Sequence, residues 1–202
     1  MSDTEGQRVD QADVLGHSLA TILAEASMPD HGLASGSAAA LSVALAAALA
    51  CSAARALPDG IESSGFVVQA ENLRMRAVEL VDRNRDHYDA AREALRARLE
   101  DPGYRDHRIG SAMNDTLGTL GLIAGTGADT AELAANVAEL ATDALRPDAV
   151  SAAPLAEAGA RVAVILTEAN LLTTVGGEGL EAARAELAAA EASSGRAHEL
   201  LG

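Results

Sequence analysis

The chain has 202 residues, 49% of them apolar and only 1% aromatic, and it carries a formal net charge of −15 with arginine as its only basic residue besides five histidines. That balance excludes an electrostatic role on nucleic acid or an anionic membrane, which both need a basic patch. The absence of lysine excludes Schiff-base chemistry, a pyridoxal phosphate anchor and a phosphate-binding P-loop. A core without large rings must be built from Ala, Leu and Val at short range, which favours helices.

The first 13 residues, MSDTEGQRVDQAD, are acidic and polar where a signal peptide would be basic and then apolar. Together with the single cysteine, Cys51, which leaves no intrachain disulfide and no thiolate cluster, this places the expected protein in a reducing, cytoplasmic compartment. The pattern predicts seven helices: Gln11–Ala26, Ser37–Leu57, Phe66–Leu99, Arg108–Ala124, Ala128–Leu145, Ala152–Val175 and Leu180–Ala192. No stretch has the period of a strand, and no linker or repeat divides the chain. The expectation is an all-α multihelical bundle in one domain, 1–202.

In chain order, the loop ahead of the second helix carries His31, Ser35, Gly36 and Ser37. Gly36 allows close approach of a ligand to the backbone, and Ser37 can cap the helix. The second helix is long enough to span a membrane, but Ala, Ser and Gly dominate it, so a buried central helix is the better reading. The third helix repeats apolar residues at three and four: Leu73, Ala77, Leu80, Val81, Tyr88, Ala91, Leu95 and Leu99. Asn84 falls on that face with His87 beside it, so its amide needs a partner, either another helix or a ligand. Tyr104, Arg105, His107 and Arg108 read as a solvated turn.

Gly125 to Gly127 reads as a break, and Ser151 with Pro154 behind it as a helix start whose free amides can hold an anion. On the sixth helix Glu157, Arg161 and Glu168 share a face. Glu168 stands among Val, Ile, Leu and Ala, so it is either paired with an arginine or lines a cavity, where a poorly solvated carboxylate serves as general acid or base. The histidines lack metal-ligand spacing, and no GxSxG or GxGxxG is present, so neither a metal nor a cofactor is expected. An alanine-rich bundle with few large core residues is expected to bury a flat face against its own copy as a homodimer.

Three segments taken in order, MPDHGLASGSAAALSVALAAALA, ELVDRNRDHYDAAREAL and RPDAVSAAPLAEAGARVAVILTEANL, resemble the methenyl-tetrahydrofolate cyclohydrolase and formimino-tetrahydrofolate cyclodeaminase family. They match its Pro-x-Pro-Gly-Gly-Gly-Ser loop, its long helix with Asp-x-x-x-Phe-Asp, and its Asn-Ala-Val-Ser-Asp loop leading into Asn-Val-Arg-x-Asn. The likeness covers roughly 14–192. It implies a dimeric helical bundle with a folate pocket, in which water or an internal amine attacks a cationic carbon bonded to two nitrogens while carboxylates move the protons.

The departures fall where that chemistry is done. The glycine triplet is reduced to Ala34, Ser35 and Gly36, with Leu33 at the second proline. Asn84 stands at the acidic position, Ala152 follows the matching Ser151, and Leu166 and Glu168 replace Asn and Arg, leaving Asn170 as the match. The reading that follows is a diverged enzyme making or opening a nitrogen-containing ring through an iminium or amidine-like centre, plausible in specialised metabolism. Glu168 and His87 are its catalytic candidates; His31, Ser35, Gly36, Ser37, Asn84, Ser151 and Asn170 are the substrate-binding ones. A folate enzyme and a non-catalytic ligand-binding dimer are the alternatives.

Overall fold

The computed structural model describes residues 16–28, 33–58, 60–98, 101–171 and 178–202. Among these the chain is all helical, and its contacts group it into two units, 1–33 and 34–202. The first unit holds α1 (Leu19–Ala26), whose N-cap Ser18 accepts a hydrogen bond from the Thr21 amide at 3.2 Å. The second holds α2 (Ser35–Arg55), α3 (Ile61–Arg96), α4 (Pro102–Leu140), α5 (Arg146–Leu171) and α6 (Glu178–Glu199).

Among the described residues six helices stand where seven are expected, because Gly125–Gly127 is not a break. A Cβ on Gly127 would sit 2.9 Å from the Ala156 carbonyl oxygen and 3.0 Å from Ala160 Cβ. This glycine is a crossing point at which α5 approaches the α4 backbone. The Thr126 and Thr130 hydroxyls turn back onto the Leu122 and Thr126 carbonyls at 2.7 Å, so the buried threonines add no unpaired group.

Three other starts move. The expected turn at Tyr104–Arg108 is the beginning of α4, where Asp101 caps the Gly103 amide at 2.9 Å ahead of Pro102. Helix α5 begins at Arg146, so Ser151 lies inside it and its hydroxyl donates to the Pro147 carbonyl at 2.7 Å; Ser151 is not a cap. Arg146 instead holds this start, donating to the Ala141 carbonyl at the end of α4 at 3.0 Å. Helix α2 begins at Ser35 with Ala34 as N-cap, so Ser37 is not a cap either.

The helices alternate in direction. Arg76 reaches Asp129 at 2.6 Å and His87 reaches Thr119, making α3 and α4 antiparallel. Helices α2 and α5 also run antiparallel, with Ala39 and Val43 against Gly159 and 47–57 sharing a core with 149–153. That core is mostly alanine, so stability comes from many close helix contacts, each side chain filling little space. Both α2 and α5 are long and apolar enough to cross a membrane, yet 61% and 50% of their apolar windows are buried among the other helices.

At the end of α2, Glu71 of α3 takes Arg55 at 2.6 Å and Arg74 at 2.7 Å. The Arg74 hydrogen bond holds the Glu71 carboxyl below the ordinary carboxylate range. Buried Cys51 lies with its Sγ 3.6 Å from Glu71 Oε1, and burial first, then the Glu71 charge, pushes the thiol above its usual value. The thiolate is the reactive form. Native protein should therefore react with a disulfide reagent at pH 8 at least about tenfold more slowly than urea-unfolded protein; equal rates would contradict this burial.

Candidate functional site

The alternating directions bring to one end of the bundle the start of α2, the second half of α3, the first half of α4, the end of α5 and the start of α6. Most of the sequence-derived candidates gather there, on different helices. Ser151 does not; it lies near the start of α5, at the opposite end. His31 lies outside the described residues.

At the α2–α3 junction the Asn84 side chain lies over Gly36, where a Cβ would come within 2.6 Å of its Cγ and Nδ2. The Ser37 hydroxyl donates to the Val81 carbonyl at 2.7 Å, and both side chains are buried. The close approach that Gly36 permits is thus taken up by Asn84, so the buried amide and hydroxyl tie two helices together. Ser35, the first residue of α2, is exposed beside them, and Asn170 is partly buried at the end of α5.

His87, one turn beyond Asn84, faces α4. Its Nδ1 lies 2.9 Å from Thr119 Oγ1 and 3.1 Å from the Asp115 carbonyl. The carbonyl can only accept, and the Thr119 hydroxyl already donates to it at 3.0 Å. An N–H at Nδ1 donating to these two oxygens satisfies all three groups.

Glu168 is paired and not poorly solvated. Its carboxylate accepts from Arg184 of α6 at 2.8 Å with 45% of the side chain exposed. The partner is not Arg161, which bonds Glu157 at 2.5 Å, as the spacing on α5 suggests, and Glu191 of α6 at 3.0 Å. The Glu168 hydrogen bond, then that of Glu181, raises the Arg184 guanidinium above its ordinary value.

Between α4, α5 and α6 at this same end lies a cleft of about 630 Å³, lined by Asn114, Leu117, Gly121, Thr167, Leu171 and Glu186 among others. Its floor is the α4 backbone at Gly118 and Gly121. A Cβ at either would meet nothing within 4 Å, so no packing demands a glycine there, although each costs a helix about 1 kcal/mol relative to alanine. Over Gly125, one turn on, lies the Glu186 carboxyl, 3.8 Å from where a Cβ would stand.

Glu186 makes no hydrogen bond or ion pair among the described residues, in contrast to Glu168 and Glu181, which share Arg184. It escapes notice in the sequence because no motif falls on α6. The available signal is that its neighbours three and four residues away, Ala182, Ala183, Ala189 and Ala190, offer no partner, whereas Glu181 has Arg184. The cleft thus presents one uncommitted carboxylate on largely apolar walls, with the Asn114 amide and the Thr167 hydroxyl as its polar neighbours.

Against known proteins, the family model described as formiminotransferase-cyclodeaminase matches residues 18–189. The fold is similar to the crystal structure of formiminotetrahydrofolate cyclodeaminase from Thermotoga maritima, with a TM-score of 0.83 and 18% identity over 93% of this chain and 97% of that one. No curated protein sequence matches. The match over most of the sequence, on a bundle with this cleft at one end, shows that the chain belongs to the formiminotransferase-cyclodeaminase family.

Proposed function

We propose that this protein is an enzyme that makes or breaks a carbon–nitrogen bond at an iminium- or amidine-like centre of a small molecule held in the α4–α5–α6 cleft. The observation that carries this reading is Glu186, a carboxylate without a protein partner over a glycine floor. In a cleft with largely apolar walls a carboxylate attracts a planar nitrogen cation. When an amine or water attacks the carbon of that cation, the attacking atom becomes positively charged and must lose a proton it already carries, and the departing nitrogen needs one. A carboxylate beside both takes the first and supplies the second. That sequence needs no metal or organic cofactor.

Glu168 and Arg184 sit next in sequence to the cleft-lining Thr167 and Ala183. Their pair acts as a positioning contact that sets α5 against α6, while Asn84 and Ser37 set α2 against α3. A folate substrate is the second reading, favoured by the family match and by the formiminotetrahydrofolate cyclodeaminase of similar fold. The experiment is to supply the purified protein with formimino- and methenyl-tetrahydrofolate and follow the methenyl absorbance. Acceleration that Glu186→Gln removes assigns folate. No acceleration, combined with retained binding of an amidinium at Glu186, assigns another nitrogen cation. Failure of both overturns the proposal.

A second copy of the chain is the proposed partner in solution. Leu45 and Leu49 of α2 are 56% and 37% exposed, and Leu155 and Ile165 of the neighbouring α5 are 39% and 55% exposed. Exposed apolar side chains on adjacent helices suit a two-fold interface. Light scattering should give a dimer that Leu45→Arg converts to monomer; a stable 20.5 kDa wild-type monomer at micromolar concentration would contradict it.

A further inference from the structure

A second cleft, of about 400 Å³, lies between the later turns of α3 and the first turns of α4, lined by His87, Tyr104, His107, Arg108, Ser111 and Asp115 with three alanines. Its donors are uncommitted. Tyr104, His107 and Ser111 make no side-chain hydrogen bond among the described residues. Arg108 has Glu93 at 3.9 Å, an ion pair too long to be a hydrogen bond. The His87 ring is held against α4 through Nδ1.

The charge distribution agrees with this geometry. Residues 83–115, which span the whole lining, hold seven of the 15 arginines against seven carboxylates, whereas the rest of the chain holds eight arginines against 23 carboxylates. Three of the seven carboxylates are already engaged: Asp86 bonds Arg85 at 3.0 Å, Glu93 faces Arg108 at 3.9 Å, and Asp101 caps α4. In a molecule of net charge −15, this hairpin is where an anion meets the least repulsion.

We propose that this cleft is a binding site for the anionic group of a small molecule, a phosphate or a carboxylate. Arg108 is the charge partner; His107, Tyr104 and Ser111 are donors. Asp115, the one carboxylate in the lining, accepts from a hydroxyl on the same ligand. The site is separate from Glu186 and does not depend on the catalytic reading.

The test is an NMR titration of the labelled full-length protein with inorganic phosphate in one arm and malate in the other, against sodium chloride at matched ionic strength. Saturable shifts of amides in 104–115 with either anion, weakened about tenfold or more by Arg108→Ala and unchanged by Glu186→Gln, are expected. The arm that saturates more tightly identifies the group. Arg108 is partly exposed and makes only the long contact with Glu93, so its variant should keep the wild-type melting temperature. No saturation by either anion, the same shifts with chloride, or equal binding in a folded Arg108→Ala protein would overturn the site.

Discussion

Gly159→Ala should lower stability by about 3 kcal/mol, which for a chain of this size is roughly 6–12 °C in melting temperature. The new methyl would lie 2.5 Å from Val43 Cγ2 and 2.8 Å from the Ala39 carbonyl oxygen. Neither neighbour can yield cheaply: one belongs to a fully buried β-branched side chain whose rotamer is restricted, the other to backbone. The helix-propensity gain of about 1 kcal/mol is smaller than this overlap. Gly65→Ala on α3 is the control, because a Cβ there meets nothing within 4 Å, so it should be neutral or slightly stabilising. Thermal melts of the two variants decide the matter; equal behaviour would mean that α2 and α5 are not held at this distance.

Glu186→Gln should reduce turnover of the true substrate by about a hundredfold or more, the scale of one lost acid–base or electrostatic group. Its melting temperature should not fall, since the native carboxylate has no partner to lose. Glu168→Gln should behave differently, because it weakens a half-exposed pair and leaves Arg184 with Glu181. Such a pair contributes at most about 1 kcal/mol, and a positioning contact changes rates less than the loss of a proton carrier. Rates and melts on both variants separate these roles. A hundredfold loss in Glu168→Gln with none in Glu186→Gln would transfer the acid–base role to Glu168.

The helical class was legible because Ala and Leu dominate and the apolar spacing on α3 is regular: Leu73, Ala77, Leu80, Val81 and Ala91 are all buried as that spacing predicts. Tyr88 and Leu95, on the same nominal stripe, are 43% and 53% exposed. The stripe drifts as the straight helix continues, and Tyr88 instead lies under the Arg92 guanidinium at 5.6 Å. Leu99 lies outside the described residues.

What the sequence could not show was set by neighbours distant along the chain. A glycine that breaks a helix and one that admits another helix look alike locally, and only α5 lying against Gly127 distinguishes them. Ser151 has the residue type of a cap, but Arg146 bridging to the end of α4 starts the helix earlier. For Glu168, spacing identified an arginine on its own helix, whereas the actual partner came from α6. Glu186 acquires meaning only once α6 is laid along the glycine face of α4, a packing no local pattern encodes.

The most direct test of the central claim is a titration with benzamidine, an amidinium on an apolar ring, monitored by NMR on the wild-type, Glu186→Gln and Gly121→Leu proteins. Saturable shifts confined to the cleft-lining positions of α4, α5 and α6 are expected, weakened about tenfold or more when the charge is removed. The same loss is predicted when a leucine fills the floor. The absence of saturable binding, or binding of equal strength in wild-type and Glu186→Gln protein, would contradict it.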